Sequence, residues 1–207
     1  MKCQCDLAQG SYAITFGRKK RIVGIRLRPY GVLKLVYLLI KRSCMHTFRI
    51  VPISSDIVNA VRKTLKSPGY GHPAHVEVAT GYGPCRSCLN TFVEGQEKRI
   101  LFTYDPFRNL DPYPSPGPVF IHEQPCQSFS DEAEFPAELR RIPLVLEAFG
   151  ENRTLISEDR FRDGNLEPRA QKVLEDARVK YIHLRNGEAG CFIARIERAN
   201  NPASRAS

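Results

Sequence analysis

The sequence predicts an α+β fold, a single domain with a largely antiparallel sheet of five to six strands and two main helices. Three observations predict it. Only two windows, 57–65 and 167–178, carry apolar residues at helical spacing. The other apolar segments are short and rich in Val, Ile, Phe and Tyr, as strands are. The last two of them are joined by Asn186-Gly187-Glu188-Ala189-Gly190, a link of hairpin length with two glycines, where a parallel pair would need a crossover helix.

Residues 1–44 stand apart by charge. They hold ten Lys/Arg against Asp6 alone, which is the whole net charge of +9, whereas residues 45–207 hold 21 of each sign. Within them lie the basic run Arg18-Lys19-Lys20-Arg21 and an apolar run at 32–40. That run is about half the ~20 residues a bilayer span needs, and Lys34 interrupts it. It starts too late for a signal peptide and lacks a small-x-small cleavage site. The composition break predicts a basic extension outside the fold, with the true start at Met45. If translated, the extension offers an anionic partner, or lipid headgroups, a weak hold. The balanced remainder predicts neither nucleic acid nor membrane as a partner. Seven cysteines without a secretory signal predict reduced thiols and a cytoplasmic protein.

From Met45 the elements follow in order. Thr47-Phe48-Arg49-Ile50-Val51 reads as a strand. Ser54-Ser55-Asp56 offers an N-cap, after which Ile57, Val58, Val61 and Leu65 share a helical face until Ser67-Pro68-Gly69. A short strand is expected at 75–78 and another at 99–104, with Ile100, Phe102 and Tyr104 on one face. Five prolines in 105–118 predict a stiff surface loop or lid edge, leading into a wholly buried apolar strand, Val119-Phe120-Ile121-His122. Residues 127–141 read as acidic loop with a turn of helix near Ala137, and 142–149 as strand. The second helix takes Pro168 at its first position and Ala170, Val173, Leu174 and Ala177 as its stripe. Strands at 179–184 and 191–197 close the domain, with His183 and Arg185 at the solvent edge, and 199–207 is a flexible tail.

Chemistry concentrates in Gly81-Tyr82-Gly83-Pro84-Cys85-Arg86-Ser87-Cys88-Leu89. Cys-x-x-Cys brings two sulfurs close enough to share a metal or close a disulfide. Zinc needs two more donors, and the candidates are His122 with Cys126, or Cys126 with Cys191. The other chemistry is redox or nucleophilic use of Cys85 and Cys88, with Arg86 stabilising a thiolate and His122 or His183 as base. Small side chains packed under a turn are the plain reading of the same residues. His72 and His75 are spare donors beside the turn. There is no Gly-rich phosphate loop, no Gly-x-Ser-x-Gly and no His-Glu-x-x-His, which argues against the common nucleotide, hydrolase and metalloprotease classes.

In order and spacing, Cys85-Arg86-Ser87-Cys88-Leu89, Tyr104-Asp105-Pro106-Phe107, Gly117-Pro118-Val119-Phe120-Ile121-His122 and Cys126 form a pattern, completed by Tyr181-Ile182-His183-Leu184-Arg185-Asn186 and Gly190-Cys191. The pattern resembles the bacterial family named domain of unknown function 1203, over about 45–198. One departure is Glu147-Ala148-Phe149, where the resemblance implies an arginine and a tyrosine around the alanine. No activity comes with the resemblance. The expected protein is therefore a binding or structural module with a Cys/His cluster that holds a metal, and a thiol enzyme or redox protein is the alternative.

A chain begun at Met45 is expected to stay soluble and to melt cooperatively near the temperature of the full chain. Aggregation, or a much lower melting temperature, would assign the apolar run at 32–40 to the core.

Overall fold

A computed structural model describes residues 48–81, 83–107, 115–130 and 135–199. Among these are two α-helices and eight strands in two antiparallel sheets, an α+β arrangement. The expectations about residues 1–44, the tip of the proline-rich segment and the C-terminal tail beyond residue 199 fall outside the described residues.

The chain starts with β1 (Phe48–Val51) and α1 (Ser55–Thr64). Ser54 occupies the N-cap position, and its carbonyl accepts the N–H of Val58 at 3.1 Å while its hydroxyl makes no capping bond. Val58 and Val61 are buried as the spacing predicts, but Leu65 is not. Leu65 ends the helix in the left-handed conformation (φ 50°), its N–H on the Val61 carbonyl, and this carries its side chain off the buried face.

Three strands form the smaller sheet in the order β2-β3-β4: β2 (His75–Val78), β3 (Lys98–Tyr104) and β4 (Gly117–His122). β4 pairs with β3 alone, so it is an edge, which is where Pro118 is tolerated. Its burial alternates: Val119 and Ile121 point into the core, and Phe120 and His122 are half-buried on the other face. The wholly buried strand expected here is thus one-faced, because the core with α1 covers the Val119 and Ile121 face and leaves the other only partly covered.

The larger sheet has the order β1-β8-β7-β5-β6, from β5 (Leu144–Phe149), β6 (Leu155–Phe161), β7 (Tyr181–Asn186) and β8 (Phe192–Arg198). β6 is the strand the sequence analysis lacks. It is a largely exposed edge whose centre is Ser157-Glu158-Asp159-Arg160, so no apolar alternation announces it. The helix α2 (Leu166–Leu174) begins two residues before Pro168, which therefore takes the third helical position and not the first. There it still lies in the first turn, where no backbone N–H is needed. Ala170 and Leu174 are buried, Val173 is half-buried, and Ala177 is exposed because the helix ends before it.

Two cores result. Leu144, Leu146, Ala148, Ile182, Leu184, Ala194 and Ile196 pack with Leu166, Ala170 and Leu174 of α2. Val58 and Val61 of α1 pack with Ile100, Phe102, Val119, Ile121 and both cysteines of the turn. β7 and β8 pair antiparallel as expected, with Ile182 opposite Ile196. The register shifts at Leu184/Arg185, so Phe192 joins the α1 core while Ile193, Ala194 and Ile196 stay in the α2 core. Phe107, in the segment expected at the surface, is buried against Phe149 and Tyr181.

In the β7–β8 hairpin, Gly187 donates to the Pro143 carbonyl at 2.7 Å, and a Cβ there would lie 2.8 Å from the Pro143 ring. A proline ring cannot rotate away. Gly187→Ala is therefore expected to cost about 1–3 kcal/mol, read as a lower denaturant midpoint with unchanged slope; an unchanged midpoint would show that the hairpin slides freely.

Candidate metal centre

Backbone bonds seat the Cys85–Cys88 turn. The Cys85 N–H donates to the Asn90 carbonyl at 2.9 Å, and the Leu89 N–H to the Cys85 carbonyl at 2.8 Å. Leu89 closes the turn at φ 62° while fully buried, a left-handed conformation that costs a leucine about 1–2 kcal/mol. The turn lies on β4, with the Arg86 N–H on the Phe120 carbonyl at 2.9 Å and the His122 N–H on Cys85 Sγ at 3.4 Å. The end of β4 thus delivers His122 to the cysteines, and the four residues after it bring back Cys126.

Cys85, Cys88, His122 and Cys126 converge, each with a donor atom within 4.8 Å of the others. Cys85 Sγ lies 3.8 Å from Cys126 Sγ, and Cys88 Sγ lies 3.5 Å from His122 Nδ1. A zinc tetrahedron with bonds of about 2.3 Å to sulfur and 2.0–2.1 Å to nitrogen has edges of roughly 3.8 and 3.5 Å. These two separations match those edges, the other four are no longer than 4.8 Å, and the Cys85–Cys126 distance is far beyond the ~2.05 Å of a disulfide. Both cysteines of the turn are buried, and His122 and Cys126 are half-buried.

Two residues that sequence reasoning missed hold the donors in place. Arg62 of α1 donates from Nε to the His122 carbonyl at 3.0 Å, and from Nη2 to the Gln124 carbonyl at 3.1 Å and Cys126 Sγ at 3.3 Å. Glu97 Oε2 lies 3.5 Å from His122 Nε2 and accepts the Val93 N–H at 2.7 Å. A carboxylate on the outer nitrogen of a ligating histidine fixes its tautomer and raises its basicity. The β3–β4 register sets Arg99 opposite His122, which places Glu97 on the same face, a diagonal step away. That signal exists only once the pairing is known.

The remaining candidates go elsewhere. Cys191 is not in the group of four; its thiol faces the Ala189 carbonyl at 3.6 Å. It precedes β8 at the hairpin, away from the end of β4. Arg86 is buried and donates to the Phe192 carbonyl at 2.7 Å and to the Pro84 carbonyl, with Cys191 and Cys85 near enough to act on its charge. His72 bonds Thr103 Oγ1 at 2.9 Å, and His75 lies exposed on β2. His183, expected at the solvent edge, is fully buried, because β7 runs inside the sheet between β5 and β8.

Among the described residues no helix is long and apolar enough to cross a membrane. The arrangement defines a small α+β module with a four-donor Cys/His centre. The chain belongs to the family described as protein of unknown function DUF1203, whose profile matches residues 82–198. The match begins later than the resemblance near residue 45, and it contains all four donors. Neither a curated protein nor a solved structure matches the chain.

Without metal the four donors share their protons unequally. The Cys85 and Cys88 thiols, then His122 and Arg62, hydrogen-bond to Cys126 and hold its thiol far below the usual range. Cys126 and Cys85 push Cys88 far up, and they push His122 up to about 10. The raised His122 contributes stability below its ordinary value of 6.5, lost as pH rises through about 10. The depressed Cys126 contributes above the ordinary thiol value of 9.0, lost as pH falls. Between 6.5 and 9.0 the two slopes cancel, since the folded pair and the unfolded chain bind equally many protons. Metal-free protein is therefore expected to show a plateau of stability across that window, falling on both sides, in denaturant titrations at stepped pH. Cys126→Ser should remove the fall on the acid side, since no depressed thiol is left to protonate, and a wild-type curve sloping steadily through the window would contradict the thiolate–imidazolium pair.

Proposed function

We propose that the chain is a binding or structural module built around a zinc ion held by Cys85, Cys88, His122 and Cys126. The observation that carries this reading is the convergence of three sulfurs and one imidazole within 4.8 Å, with two of the separations at the edge lengths of a zinc tetrahedron. Four protein donors leave no open position for a water or substrate, which is the form of a structural site. Zinc is favoured over harder cations by a set of three sulfurs and one imidazole. In that role the ion ties the Cys85–Cys88 turn to the end of β4 and, through Arg62, to α1. The reading suits a reducing compartment such as the cytoplasm, where thiols persist.

A thiol redox role is the second reading, favoured by the 3.8 Å approach of Cys85 to Cys126. The turn does not open a helix, which removes the dipole that activates thioredoxin-type pairs. Thiol counting after mild oxidation separates the readings: a zinc-bound set resists modification, while a redox pair loses two thiols as one disulfide.

Metal analysis of the purified chain is expected to find about one zinc per chain. Loading should release protons, since the Cys85 and Cys88 thiols and the His122 imidazolium must all give theirs up. Chelation should lower the melting temperature, Cys85→Ser or Cys126→Ser should abolish zinc retention, and Arg62→Gln should weaken it about 10–100-fold. Protein that carries no metal and gains no stability from added zinc would end the proposal.

A further inference from the structure

The outer face of the larger sheet carries groups the metal centre does not use. Side chains alternate along β7, so Ile182 and Leu184 enter the α2 core while Tyr181, His183 and Arg185 face the other way. Register sets His183 between Glu147 of β5 and Arg195 of β8. Its ring is fully buried among aromatic rings, with centroids 4.6 Å from Phe107, 5.1 Å from Tyr181 and 5.2 Å from both Phe149 and Phe192. Neither ring nitrogen has a hydrogen-bond partner among the described residues. An unmet donor and acceptor in the interior destabilise a fold, and a phenyl ring would fill the space without that cost. Burial, with Arg185, Arg195 and Arg153 nearby, keeps the imidazole neutral.

Beside this face a cavity of about 120 Å³ opens between the proline-rich segment and the β7–β8 hairpin. Its polar wall includes Tyr104, Ser115, Arg185 and Cys191. Arg185 commits Nε to Glu147 Oε2 at 2.6 Å and Nη1 to the Gly190 carbonyl at 3.0 Å. Its Nη2 has no protein acceptor among the described residues. Phe192 joins the two features, since it lines the cavity and meets the His183 ring edge-on. Behind Phe192, Arg86 is a buried cation bonded to carbonyls and to no carboxylate. Arg185 therefore brings positive charge to the cavity wall, with its Nε already on Glu147, and Arg86 adds a second cation behind the Phe192 backbone.

We propose that this cavity binds a small ligand bearing an oxyanion, a carboxylate or a phosphate, with Arg185 Nη2 as its first donor and His183 as the second. His183 lies behind the Phe192 ring, which meets it edge-on, so this second contact requires that ring to turn aside. A cavity of about 120 Å³ holds several water molecules, which is room for phosphate or an acid of a few carbons. Charge-assisted bonds to a guanidinium supply the strength, and the unmet imidazole supplies selectivity. The site is separate from the four-donor centre and does not depend on metal there.

The test is isothermal calorimetry on the full chain, with metal content recorded, titrated separately with inorganic phosphate and with succinate. Saturable binding of one of them below about 1 mM is expected, and which one binds identifies the oxyanion. The charge-neutral double variant E147Q/R185Q should weaken it at least about tenfold. His183→Phe should raise the melting temperature, since it removes the unmet imidazole, and yet weaken binding. If the double variant does not fold, His183→Phe decides by itself. The proposal is overturned if neither anion binds up to about 10 mM, or if folded variants bind like the parent. Protein that never holds zinc yet gives these isotherms would overturn the metal centre alone.

Discussion

The docking of the Cys85–Cys88 turn onto β4 is the constraint on which the site depends. Successive residues of that turn reach three separate parts of the chain through backbone groups alone. The Arg86 N–H meets the Phe120 carbonyl, the Arg86 carbonyl takes the Ile53 N–H at 3.0 Å, and the Ser87 carbonyl takes the Phe129 N–H at 2.8 Å. Both sulfurs are thereby placed before any side chain interacts, so the centre is preorganised by peptide geometry. The left-handed Leu89 is what this costs, and its burial in the α2 core offsets the strain.

Charge follows from the same docking. Three thiolates and a neutral imidazole around a divalent ion would carry one net negative charge. Arg62 bonds one of the sulfurs, and Arg86 lies close enough to feel Cys191 and Cys85. Burial lowers the Arg86 pKa to about 10, which still leaves it charged at neutral pH. A buried guanidinium without a carboxylate is costly unless some other negative group is near. A loaded thiolate centre on one side and an anion in the cavity on the other both meet that need.

Much of this was legible in residue order. Helical spacing located both helices, hairpin length paired β7 with β8, and the five candidate ligands included the four side chains that converge. What was not legible depended on pairing. β6 escaped because an exposed edge needs no apolar alternation. His183 was misplaced because its strand alternates apolar residues with polar ones that look solvent-facing, whereas Phe107 returns over them from 76 residues earlier in the chain. Cys191 matched the others in type, but the hairpin holds it at the far end of β8. Arg62 and Glu97 have ordinary helix and turn positions, and only tertiary approach gives them a role.

The register shift between β7 and β8 bears on cooperativity. Because of it, neighbouring residues of one strand are anchored in different cores, Phe192 with α1 and the smaller sheet, Ile193 with α2 and the larger one. Neither sheet can open past that point without pulling a buried side chain out of the other. Slow-exchanging amides should therefore form a single set that spans both sheets and exchanges through one global opening. A disturbance at the cysteines would then be felt as a change in the lifetime of the whole fold, not as local fraying at one end.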